Sequence, residues 1–238
     1  LAQLVVNLQE NGISLEELSY TNDNELVVGL RQTNYQDPKS LTSVLYQLDQ
    51  DIGLTNKNEI TIKNYVNGME VSTLKTNIKN SNSAFESVDK TKVARTIYSK
   101  EGEFPRYFQF IQPKLRTFIG SREGFLYYGL FLEHISKYMF SDGLFIDSQL
   151  AVSLNNNFDE LSIPPVDTYP AQVRTDIKDY LNGIDEGLAI KRLNINKFSK
   201  LSKNSYLLIS AGILEEMFNG FGFEYLNHSI DRNLSYGF

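Results

Sequence analysis

The stretch Leu144-Phe145-Ile146-Asp147-Ser148-Gln149-Leu150-Ala151-Val152-Ser153-Leu154-Asn155 decides the fold. Leu144, Ile146, Leu150, Val152 and Leu154 fall on one face of an extended chain, interrupted only by Ser148. Asp147, Gln149, Ser153 and Asn155 fall on the other, because successive side chains of a strand point to opposite faces. A soluble strand usually runs about 5–6 residues, whereas crossing a bilayer takes about 9–11 tilted residues. A strand this long, apolar on one side and polar on the other, suits a barrel with a lipid-facing exterior and a wet lumen.

The same grammar extends to both sides. Phe104–Ile119 and Gly124–Phe140 read as long strands, separated by Gly120-Ser121-Arg122-Glu123, and Ser141-Asp142-Gly143 turns the chain into 144–155. Pro113 weakens the first of these strands, since proline cannot donate to a ladder. The polar segment Asn156–Gly187, with Pro164, Pro165 and Pro170, interrupts the meander. Strands resume at Leu188–Lys200, Asn204–Glu215, Gly220–Asn227 and Asn233–Phe238. If the N-terminal part lies in the periplasm, the long segment falls outside the cell, where such barrels keep their long loops. Seven strands are fewer than the minimum of about 8 for a closed barrel. With a start at Leu1-Ala2-Gln3, the chain reads as part of a longer protein.

Upstream, residues 1–80 have a different pattern. Leu1, Leu4, Val5 and Leu8 are spaced as one helix face, stopped by Asn11-Gly12. Ile13–Tyr20 and Glu25–Gln32 read as strands. Asp37 caps the next helix, Pro38 sits at its tolerated first position, and Leu41, Val44, Leu45, Leu48 and Ile52 form its apolar stripe up to Gly53. Asn58–Tyr65 and Met69–Ile78 form a hairpin across Asn67-Gly68, a strong type I′ turn signal. Residues 81–103 read as a linker with a short helix over 84–95. The fold class predicted is α+β: a small α-β-β-α-β-β module followed by a long-stranded antiparallel meander over 104–238.

Composition removes several classes of function. The 238 residues include no Cys and no Trp, so disulfides, thiolate metal sites and cysteine nucleophiles are excluded. His134 and His228 are the only histidines, too few for a His-rich metal site. With 23 basic and 29 acidic residues the chain lacks the basic footprint of a nucleic-acid binder. Fifteen Phe and fourteen Tyr favour strands. Tyr127, Tyr128, Tyr138 and Phe140 are candidates for a membrane-interface belt or for an internal core.

The segment from Ser210 to Leu226, SAGILEEMFNGFGFEYL, resembles a hallmark of YjbH/GfcD-type proteins. Gly212, Leu214, Glu215 or Glu216, Met217, Phe218, Gly220, Gly222, Glu224 and Leu226 carry the likeness. Val173-Arg174-Thr175-Asp176 with Tyr180, Gln112-Pro113-Lys114-Leu115-Arg116 with Gly120, and Asn233–Phe238 resemble further family segments. Asn227-His228 departs from the pattern, which has Arg-Pro there. The resemblance implies an outer-membrane protein of exopolysaccharide and capsule production in Gram-negative bacteria, commonly a lipoprotein. Its implied partners are a polysaccharide, outer-membrane lipid and other exopolysaccharide-secretion proteins.

Candidate glycan-path residues are Arg116, Arg174, Asp176, Glu215, Glu216, Met217, Gly220, Gly222 and Glu224. Glu215 and Glu224 invite a general acid/base reading, as in glycoside hydrolysis, against the plainer one of lumen-facing or solvated carboxylates. Glu215 and Glu216, being adjacent, point to opposite faces. Gly220 and Gly222 fit a turn or strand bend, and the G-x-G-x-x-G context of a nucleotide loop is missing. Arg174 and Asp176 could contact sugar or anchor their loop. The expectation is a non-enzymatic outer-membrane protein of polysaccharide export with a periplasmic module and no cofactor. The alternatives are a non-transporting assembly module and a periplasmic carbohydrate-active enzyme.

Overall fold

Two antiparallel-rich sheets carry the chain, each built from a different kind of strand. The computed structural model describes residues 2–32, 34, 38–52, 59–78, 86–88, 91–119, 125–160, 187–216, 218–229 and 234–238. The first sheet contains β1 (Ile13–Thr21), β2 (Leu26–Gln32), β3 (Glu59–Val66), β4 (Met69–Asn77), β5 (Glu86–Ser87) and β6 (Val93–Ser99). Their order is β5-β4-β3-β2-β1-β6, and only β2 and β3 run parallel. A parallel pair needs a crossover, supplied here by helix α2 (Pro38–Ile52). Helix α1 (Ala2–Glu10) precedes β1.

Leu4 and Leu8 of α1, together with Leu41 and Leu45 of α2, are buried against Ile13, Leu26, Leu30 and Ile60 of the sheet. Each such side chain contributes about 1.5–3 kcal/mol through area removed from water. Leu48 and Ile52 have side chains outside the described set, and Asp37 and Gly53, the expected cap and stop of α2, lie outside the described residues. The turn between β3 and β4 puts Asn67 at φ 48° and Gly68 at φ 81°, as a type I′ hairpin requires.

On the other side of this sheet a buried polar group is fully paired. The Glu17 carboxylate accepts hydrogen bonds from Lys63 (2.8 Å), Ser19 (2.8 Å) and Tyr65 (2.9 Å). Burial alone would push this carboxyl up; the three donors overcome it and hold Glu17 below the usual carboxylate range. Burial and the neighbouring Glu17 raise the Tyr65 hydroxyl in turn.

The short helix expected over 84–95 is absent from the described residues there. Residues 86–87 and 93–99 are strands instead, and β6 pairs with the edge of β1 from Glu17↔Ser99 to Thr21↔Val93. Val93, Thr96, Ile97 and Tyr98 suit a pleated surface, and the open edge of β1 offers them backbone partners that a helix would forgo.

The second sheet is a seven-stranded meander of β7 (Arg106–Ile119), β8 (Leu126–Ser141), β9 (Leu144–Asn156), β10 (Leu188–Lys200), β11 (Ser205–Glu215), β12 (Phe218–Ser229) and β13 (Leu234–Gly237). Neighbours in sequence are neighbours in the sheet, which is open between β7 and β13. Pro113 lies in β7, at the sheet edge where proline is tolerated.

Candidate functional site

Residues paired in register share a face of the sheet, so the ladders sort the side chains of the second sheet unambiguously. One face carries Ile111, Leu132, Val152 and Leu188, then Tyr138, Ile146, Ile195 and Phe221. Most of these are large apolar side chains exposed by a third or more, reaching 87% at Phe221. The opposite face carries Gln112, Glu133, Lys137, Asp147, Gln149, Asn194 and Asn196, of which Glu133 is 1% exposed. The usual soluble arrangement is thus reversed: charge is sealed and hydrocarbon is open.

The sheet coils around its polar face. Arg116 on β7 and Glu216 after β11 are separated by four inter-strand spacings of about 4.8 Å, roughly 19 Å in a flat sheet. Their side chains nevertheless meet in a fork, Nη1–Oε2 and Nη2–Oε1 both 3.2 Å. Only strong curvature brings these strands so close.

This contact is one end of a chain of charges across the concave side. Lys191 on β10 lies 3.7 Å from Glu216 and bonds directly to Glu133 on β8. Glu133 also accepts from Gln112 and Gln149, each at 3.2 Å. The bulge between Ile190 and Arg192 re-aims Lys191 toward this cluster. A second group lies nearer the first sheet. Lys137 stands 3.6 Å from Asp147, Asp147 accepts from Asn196 at 3.2 Å, and Asn196 accepts from Ser210 at 2.7 Å.

The β3–β4 hairpin is set against the end of the concave face. The Asn67 carbonyl accepts from the Gly143 amide (2.8 Å), its side-chain oxygen accepts from Lys137 (3.0 Å), and the Tyr206 hydroxyl donates to the Val71 carbonyl (2.7 Å). Val66 and Asn67 at the tip border two cavities, about 510 and 480 Å³, one on each side of the hairpin.

A family model described as exopolysaccharide biosynthesis protein YbjH (YjbH) matches residues 2–238. The chain belongs to the YjbH family. No curated protein and no solved structure matches it. This YjbH chain therefore takes its link to exopolysaccharide biosynthesis from the family, and its site from the geometry above.

The structure sorts the candidate residues of this YjbH chain. Arg116 and Glu216 come together on the concave side; Glu215 is exposed and stands opposite Phe218. Glu224 faces the concave side opposite Leu208, six residues along β12 from Phe218. At about 3.4 Å per residue, Glu215 and Glu224 are roughly 20 Å apart, well beyond the spacing of about 5–9.5 Å that a glycosidase carboxylate pair needs. Gly220 and Gly222 lie inside β12 and face the same concave side, opposite Gly212 and Ser210, rather than forming a turn. His228 likewise sits in β12, bonded to Ser235 at 2.6 Å. Arg174, Asp176, Met217 and Gly120 lie outside the described residues.

The four aromatic candidates divide between the two readings, and one face assignment in β9 differs from the expectation. Tyr127 turns inward and is buried with Phe131 and Phe158, while Tyr128, Tyr138 and Phe140 point outward. A bulge in the β8–β9 ladder places Asn155 opposite outward-facing Leu130, ending the alternation two residues early. The residues that sequence reading missed are Glu133, Lys191 and Lys137. Their signal was parity: Glu133 and Lys137 share the odd positions of β8 with inward Tyr127 and Phe131.

Proposed function

We propose that the second sheet is part of an outer-membrane β-barrel that lets exopolysaccharide pass along its charged concave face, with the first sheet on the periplasmic side. The observation that carries this reading is the reversed polarity of the sheet. Contiguous exposed apolar surface of this extent is rare on soluble monomers, whereas a lipid-facing exterior with a polar lumen demands it. The outward tyrosines and phenylalanine near the first sheet agree with aromatic anchoring at a membrane interface: Tyr107 and Tyr138 lie 6.3 Å apart, Tyr138 and Phe140 4.8 Å.

Conduction needs groups that a hydrated chain can touch and leave. Ion pairs satisfied within the wall, such as Arg116–Glu216 and Lys191–Glu133, shape the path without holding a sugar tightly. The protein on this reading acts with other exopolysaccharide-secretion proteins and cleaves no bond. The test is reconstitution in planar bilayers. Discrete conductance steps that fall when a neutral dextran is added support transport. Stable insertion with no conductance would favour a non-transporting assembly role.

A further inference from the structure

The 510 Å³ cavity between the β3–β4 hairpin and strands β10–β12 has the size of a ligand pocket, typically about 300–1,000 Å³. Its walls are unlike the rest of the concave face. Phe198 and Tyr206 stack at 5.9 Å and 10° to make an aromatic wall, extended by Leu208 and Leu226. Polar groups are few. Glu224 has no hydrogen-bond or ion-pair partner among the described residues, and His228 is held through Nδ1 by Ser235. The hairpin closes the other side and is fastened there by the Tyr206–Val71 bond.

We infer that this cavity is a binding subsite for a neutral sugar segment, seated on the aromatic wall and hydrogen-bonded to Glu224. An apolar lining with a few placed polar groups is the ordinary composition of a small-molecule site. A pyranose offers a C–H face to aromatic rings and hydroxyl donors to a carboxylate, whose charge-assisted bonds are the strong class. The same carboxylate repels an acidic sugar, which selects for neutral units. Beyond Glu224 the concave face is bare at Gly222, where an added Cβ meets nothing within 4 Å, and nearly so at Gly220. A glycan leaving the cavity therefore meets no side chain on β12 at these two positions. This assigns a role to Gly220, Gly222 and Glu224 of the 210–226 segment. The choice of sugar as ligand rests on the export reading.

The experiment is calorimetric titration of the full chain in lauryldimethylamine oxide, whose headgroup carries no sugar, with maltohexaose and with a hexamer of galacturonic acid. Maltohexaose should bind and the acidic hexamer should bind at least about tenfold more weakly. Phe198→Ala should weaken maltohexaose about tenfold or more. Glu224→Gln, an isosteric change at an exposed position, should weaken maltohexaose and narrow the preference between the hexamers, and it remains informative if Phe198→Ala fails to fold. Absence of binding, or binding of both hexamers that ignores the two variants, overturns the subsite. Loss of the subsite with conductance retained leaves the export reading standing; a subsite in a protein that never conducts removes export alone.

Discussion

Two neighbouring residues of β7 separate a lipid-facing from a water-facing surface in one experiment. Ile111 and Phe110 are both apolar and similarly open, 63% and 55% exposed, but they face opposite sides of the sheet. Ile111 lies opposite His134 and shares its face with Pro113 and Leu115; Phe110 borders the cavity that also holds Asp147 and Lys137. Ile111 is within two residues of the midpoint of Arg106–Ile119, about 7 Å along the strand and under about 5 Å in depth at a 45° tilt. Arg near the midplane of a lipid-facing strand costs about 2–4 kcal/mol. An open position in water absorbs the same change within about 0.5 kcal/mol. Ile111→Arg should therefore lower stability in phospholipid vesicles by about 2–4 kcal/mol, and Phe110→Arg by less than about 1 kcal/mol. Equilibrium unfolding in guanidinium, followed by circular dichroism, measures both. Equal losses at the two positions would refute the assignment of the outer face to lipid.

The remaining predictions concern the wall, the glycines and pH. Glu133→Ala should cost about 1–3 kcal/mol, because it leaves two glutamine donors without their acceptor and Lys191 with only its longer contact to Glu216, and Glu133→Leu with Lys191→Met should recover most of that in the same unfolding assay. Gly212→Ala should fail to assemble or lose more than about 1 kcal/mol, since its φ is +136° and a Cβ there would lie 2.3 Å from the Leu193 carbonyl oxygen. Gly222→Ala, with open space around it, should assemble normally on a heat-modifiability gel. The Glu17 carboxyl is depressed in the folded state, so its contribution is complete above the unfolded value of about 4.3 and is lost as pH falls through the lower folded value. Acid melting of the full chain should therefore show a steeper loss below about pH 4.3 in wild type than in Glu17→Gln.

What could be read from the sequence was whatever depends on local periodicity. The alternation of 144–155, the Asn67-Gly68 hairpin and the stripe of α2 each state their structure within a dozen residues. The strand at 93–99 was not legible, because its partner is the edge of β1, where Ser19 pairs with Thr96 from 77 residues earlier, and nothing local selects a strand over a helix. The charged chain from Arg116 to Glu133 was hidden for a related reason. It exists only because the sheet curves enough to carry β7 to the β11–β12 connection, and curvature arises from bulges such as that at Lys191. Parity along β8 pointed at Glu133, but its partners lie on three other strands. Glu215 and Glu224 illustrate the opposite error, in which nearness in sequence suggests a pair that the extended backbone holds apart.

On the export reading one face of β9 meets lipid and the other meets water. The chain has no cysteine, so single cysteines at 146, 147, 149, 150 and 152 can each carry a nitroxide label in the vesicle-embedded protein. Collision with oxygen, which concentrates in lipid, should be high at 146, 150 and 152 and low at 147 and 149. A water-soluble nickel chelate should show the reverse or no access, giving a period of two along the strand. Free access of the nickel chelate to 146, 150 and 152 would mean that this face of β9 meets water, not lipid.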